Sequence, residues 1–124
     1  MDIKDIKFKA KRLNDGKWIK GDLIHNTSYI GICIYHPNNT FPDVPVIHKV
    51  DSNTVCMFTG LKDKNGIPIY EGDIVTYKDN NAERRGVIVW DNKSIAFCFG
   101  YGFFLCHFPS ENMVVVGNKF DNKK

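Results

Sequence analysis

Apolar and polar residues alternate with a period of two through most of the chain. Residues 4–11 (KDIKFKAK) place Ile6, Phe8 and Ala10 on one face and Lys7, Lys9 and Lys11 on the other, the pattern of a half-exposed strand. Asn14-Asp15-Gly16 follows as a hairpin signal, because Asp-Gly supplies the positive φ angles of a tight turn, and KWIKGDLIH resumes the apolar pattern as a second strand. Residues 29–35 (YIGICIY) are rich in β-branched and aromatic side chains and form a third. Residues 36–45 hold three prolines and two asparagines and must be a loop. Short strands are expected at 46–50 and 54–59, then a turn over 60–66 that ends in Asn65-Gly66. IPIY, EGDIVTYKD, GVIVWD, SIAFCF, FFLCHF and MVVVGN follow, separated by NNAERRG, GYG and PSEN. Strands recurring every ten residues or so, with Gly, Asn or Pro between them, are the signature of an antiparallel sandwich or small barrel. No stretch reads as a convincing helix: Ser110, the best N-cap, lacks a Glu or Gln three residues on.

Composition narrows the class. With 124 residues, 43% hydrophobic and 25% charged, the chain fits one ordinary domain, or one with a small appendage, and buries about two-thirds of its unfolded surface without needing a metal or disulfide. The net charge is only +3, but residues 1–20 carry seven basic residues against three acidic ones. A basic edge is therefore expected on a protein that is not uniformly basic. The first residues alternate charge with hydrophobe rather than forming a signal-peptide core, and no stretch approaches the length of a spanning helix. A cytoplasmic location with no membrane partner is expected.

The chemistry on offer is sparse. No two of Cys33, Cys56, Cys98 and Cys106 lie two to four apart and the four histidines lie at separations of 11, 12 and 59, so the zinc-ribbon and zinc-finger spacings are absent, and the cysteines are read as small buried hydrophobes. Cys98, Cys106 and His107 form the one compact thiol and imidazole set, but a regular hairpin puts His107 on the face opposite both cysteines. Glu71 and Asp73 are two apart and suggest an acid/base pair, although Gly72 between them favours a bend and solvated turn carboxylates. Gly100-Tyr101-Gly102 is read as a hairpin tip, since no helix follows it. Gly21-Asp22 and Gly72-Asp73 follow a turn glycine by five and six residues, an echo that either a duplication or two independent hairpins would produce. Lys7, Lys9 and Lys11, with Trp18 and Trp90, make a candidate binding surface for the phosphates and bases of nucleic acid; the alternative is that lysines on an edge strand block aggregation.

Phe58-Thr59-Gly60-Leu61, Asp63, Asn65-Gly66 and Tyr70-Glu71-Gly72-Asp73, running on into Ile74-Val75, form the most distinctive segment. It resembles the signature of the YopX family of phage, prophage and mobile-element proteins. The opening IKFKAKRLNDGKWIKGDLI and the late VVVGN are similar to that family's first hairpin and closing strand, so the resemblance covers nearly the whole chain. It implies an all-β fold, a small Src-homology-type barrel or roll preceded by an N-terminal β segment, and it carries over no catalytic residue. In this fold the motif is read as structural, with Gly60, Gly66 and Gly72 in turns or bulges, Asp63 and Asn65 capping a turn, and Tyr70 over one end of the barrel.

The expected organisation is residues 1–50 as the N-terminal β segment, 51–118 as the barrel and 119–124 as a frayed tail. The expected function is that of a non-enzymatic accessory or adaptor protein without metal or organic cofactor, binding an unidentified protein partner; nucleic acid is the alternative partner. The hairpin over residues 94–108 is apolar on both faces, so one face needs a second cover, either the N-terminal segment of a monomer or, the favoured reading, a second copy of the chain in a homo-oligomer with that hairpin at its interface.

Overall fold

The computed structural model describes residues 3–34, 46–79, 82–93, 96–99 and 110–121. They are all-β, with antiparallel sheets and short 3-10 turns, and contain no α-helix. The chain divides into two compact units, Met1–Met57 and Phe58–Lys124.

The first unit holds β1 (Phe8–Lys11), β2 (Trp18–His25), β3 (Ile30–Ile34), β4 (Val46–Lys49) and the start of β5 (Cys56–Lys62). The strands lie in the order β4-β3-β2-β1-β5. β1 is shorter than its alternation suggests. Ile3–Asp5 closes as a 3-10 turn, with Ile6 N–H donating to Ile3 O, so Ile6 drops out of the apolar face and is 39% exposed. The Asp-Gly hairpin forms with Gly16 at φ 71°, and Phe8 stands opposite Gly21, Ala10 opposite Ile19. Gly21 is thus an ordinary strand residue, whereas Gly72 has a φ of 90°, so the two Gly-Asp segments are not structural equivalents. The last residues of β1 reach β4 through an Arg12↔Val50 bridge, which sets Ala10, Ile32 and Val50 in one buried cluster with Phe8, Ile19 and Leu23 packed on it. Thr54 completes the arrangement: its hydroxyl donates to Asp51 O and accepts the N–H of Lys11.

The second unit holds the rest of β5, β6 (Pro68–Tyr70), β7 (Asp73–Asp79), β8 (Ala82–Asp91), β9 (Ala96–Phe99) and β10 (Met113–Asn118). β5 and β6 pair as a hairpin, and the other four lie in the order β10-β7-β8-β9. Two boundaries differ from the sequence pattern. β5 continues through Gly60 to Lys62, because the bulge there absorbs the glycine, and the turn begins only at Asp63. β8 begins at Ala82 rather than after Gly86: its first four residues, AERR, are exposed, so their strand character leaves no apolar alternation to see. The core is Ile69, Val75, Tyr77, Ile88, Phe99 and Met113, with Leu61, Phe97 and Val115 against it.

The expected closed barrel is not formed among the described residues. In the second unit β9 and β10 lie at opposite sides of the four-stranded sheet, so its ladder does not return on itself. Residues 119–121 form a turn tied to the end of β10, with Asn118 N–H donating to the Asp121 carboxylate and Phe120 N–H to the Asn118 side chain. The proline-rich loop, the tip of the apolar hairpin with Cys106 and His107, and residues 122–124 lie outside the described residues.

Candidate interaction surfaces and the family motif

Period-two geometry places Lys9 and Lys11 on the outer face of β1, and the register sets Lys11 opposite Trp18 and Lys9 opposite Lys20. The Lys9 ammonium lies 4.7 Å and that of Lys11 5.5 Å from the centroid of the Trp18 ring, so one aromatic face gathers two cations. Lys7 precedes the strand and is half-buried. Lys20 was not singled out from the sequence, although its two-residue spacing from Trp18 puts it on the same face. A second cation-aromatic pair, Lys49 at 5.3 Å from the Tyr29 ring, lies within the same unit. Trp90 belongs to the second unit: 41% exposed, it packs edge-on to Phe97 at 5.0 Å and donates its indole N–H to Asn92. Lys7, Lys9, Lys11 and Lys20 are therefore in the first unit with Trp18, and Trp90 belongs to the second.

The motif residues are arranged around two turns. Asp63 is buried, and its carboxylate accepts the N–H groups of Asn65 and Ile67 on one oxygen and of Val115 on the other. Burial pushes the Asp63 carboxyl up, and the three N–H donors, Val115 first among them, outweigh that and hold it below its ordinary value. Gly66, at φ 79°, lets this turn close with its N–H on Asp63 O, and Lys64 N–H reaches Met113 O. Thr59 bridges the bulge at Gly60, donating to Ile69 O and accepting from Leu61 N–H. Phe58 and Tyr70 are directly opposite, with rings 5.5 Å apart.

The second turn follows Tyr70, which is buried within its unit. Tyr70 N–H donates to one oxygen of the buried Asp73 carboxylate and the Asn118 amide to the other. Gly72 donates to Ile88 O and accepts from Lys119 N–H. The positive φ of Gly72 breaks the alternation that would have set Glu71 beside Asp73; Glu71 is half-buried and Asp73 is turned inward. Both motif aspartates thus tie a local turn to β10, through Val115 and Asn118. Those two partners escape sequence reading because they lie far along the chain.

Cys56 and Cys98 are buried, and the Cys56 thiol donates to Thr54 O. Among the described residues no three His, Cys, Asp or Glu side chains come together as a metal site would require, and no helix is long and apolar enough to cross a membrane.

An all-β chain whose signature segment folds into two aspartate-centred turns on a closing strand is the class defined by this geometry. Comparison with protein families adds the particular one: the family described as YopX protein matches residues 7–124, and the chain belongs to it. No curated protein matches the chain.

Proposed function

We propose that this YopX-family chain is a non-enzymatic accessory protein of a phage, prophage or mobile element, acting in the cytoplasm as an adaptor that binds a protein partner. The inward turn of Asp63 and Asp73 carries this reading. Asp73, one half of the acid/base pair suggested by the sequence, accepts main-chain and amide N–H groups, and Asp63 likewise closes its own turn in the second unit, while the first unit presents cations and aromatic rings outward. The meander β7-β8-β9, the 3-10 turn Ser110–Asn112 and the return of β10 onto β7 support a Src-homology-type roll for the second unit, a type of scaffold that binds extended peptides. Affinity capture from infected or lysogenic cells, followed by reconstitution of the purified pair, tests the adaptor role. A stoichiometric complex is the expected result; catalytic turnover by the chain alone overturns it.

The gathering of Lys9 and Lys11 over Trp18, with Lys20 across the ladder, favours nucleic acid as the second reading. Cations along a strand can follow phosphates, and a neighbouring indole can stack a base.

A further inference from the structure

Among the described residues the outer edge of β4 is paired only at its end, by the Arg12↔Val50 bridge, and the rest opens onto a cleft of about 390 Å³ walled by Arg12, Leu13, Asn14, Ile47, His48 and Lys49. The main-chain pattern explains why the cleft exists. Val50 N–H donates to Ile30 O, so at a period of two Val50, His48 and Val46 use their main-chain groups on β3, while Lys49 and Ile47 direct theirs to the open side. Lys49 O is taken by Leu13 N–H, and the chain then bends away at Asn14 into its hairpin turn. The N–H and C=O of Ile47 are left facing the cleft, where no described residue supplies a partner.

The side chains around that edge share one chemistry. Leu13 is 64% exposed and Ile47 44%, an apolar pair flanking the unpaired main chain. Ile47 is held up from below, since its Cγ2 occupies the space a Cβ on Gly31 would need, at 2.9 Å. Lys49 supplies the charge of the walls together with Arg12, whose guanidinium is paired with the turn carboxylate of Asp15, and none of the described residues lining the cleft is acidic. Positive walls around an apolar pair and an open strand edge complement an extended segment that alternates acidic with apolar residues.

We infer that the β4 edge is a docking site for an extended acidic-apolar peptide segment of a partner protein, which adds a short strand beside Ile47 and sets an apolar side chain against Leu13. This rests on the adaptor reading and locates its contact. The probe is a short synthetic peptide alternating Glu with Val and Leu, titrated into the full chain by amide-resolved NMR and fluorescence anisotropy. Shifts centred on Leu13 and Ile47 are expected, with binding weakened about tenfold or more when Lys replaces Glu in the peptide. N-methylation along one edge of the peptide should abolish binding, since main-chain hydrogen bonds carry it. Leu13→Glu, at an exposed position, should weaken binding with the melting temperature unchanged, and Lys49→Glu should reverse the preference between the Glu and Lys peptides. Equal binding of both peptides, indifference to N-methylation, or a dimer that Leu13→Glu dissociates overturns the inference, the last by making a second copy the occupant. A partner captured from cells that binds Leu13→Glu as tightly as the native chain rejects this site and leaves the adaptor reading standing.

Discussion

The carboxylate of Asp63 accepts the main-chain N–H of Val115 at 2.9 Å, across 52 residues of chain. A side chain that also holds its own turn through Asn65 and Ile67 thereby fixes where β10 begins its pairing with β7. Charge-assisted bonds of this kind are the stronger sort, and removing the acceptor leaves three part-buried N–H groups without it.

Asp63→Asn should therefore destabilise the protein by about 2–3 kcal/mol near neutral pH, read from urea unfolding. The pH dependence has a definite sign. The folded-state value of Asp63 lies below its ordinary value of 3.8, so as the pH falls the unfolded chain takes up the proton first. The stabilisation is complete above that ordinary value and is lost as the pH drops through the lower, folded one. The gap between native and variant stability should narrow below about pH 4. A gap that widens in acid rejects the assignment.

Asn118 supports the other motif aspartate at 2.9 Å, and both side chains are buried. Asn118→Ala should lower stability by about 1–3 kcal/mol, because a buried carboxylate loses a donor. Asn118→Asp should be worse at neutral pH, placing two acids together, and should recover in part in acid. Thermal melts of the three proteins at two pH values measure this; equal melting of Asn118→Asp and Asn118→Ala at neutral pH counts against a charged contact.

Two glycines should fail for different reasons. Gly60 sits at φ 90° with open space where a side chain would go, so Gly60→Ala meets backbone strain alone, about 1–2 kcal/mol. Gly60→Asn should do less harm, since Asn tolerates this region better. Gly31 has no such φ, but a Cβ there would lie 2.9 Å from Ile47 and 3.1 Å from His48 O. Gly31→Ala should displace β4 from β3, seen as hydrogen-exchange loss confined to those strands. Unchanged exchange in β3 and β4 would show that the contact relaxes without effect.

How much of this was legible follows the range of the interactions. The hairpin of β1 and β2, the strand at β4 and the turn carboxylates depend on neighbours within a few residues, and period two with Asp-Gly or Asn-Gly spells them out. The extension of β8 through AERR was hidden, because its exposed residues carry no alternation. Nor does composition show that Asp63 and Asp73 both engage β10, since Val115 donates through its main chain, which any residue offers. Lys9, Lys11 and Trp18 were readable as a surface because a hairpin register is local. The cleft beside Ile47 depends on the Arg12↔Val50 bridge, a long-range event with no sequence signal.

The last prediction concerns the indole under two ammonium groups. Trp18 and Trp90 are the only tryptophans, so Trp90→Phe makes the emission report Trp18 alone. If the outer face of the first hairpin binds a single strand, oligothymidylate should quench or shift that emission as a base displaces the lysine ammoniums from the ring at 4.7 and 5.5 Å. Affinity should fall with salt. Replacing Lys7, Lys9 and Lys11 with Gln should reduce the log-log slope by about 2, at roughly 0.7 per phosphate contact on single strands. Trp18→Ala should weaken binding by about 1–3 kcal/mol without altering the slope, since stacking releases no counterion. No binding to single- or double-stranded DNA or RNA at low salt sinks the nucleic-acid reading. Binding that leaves Trp18 emission unchanged moves it to another face, and the lysines then serve to keep the strand face soluble rather than to guard an edge, since β1 pairs with β2 on one side and β5 on the other.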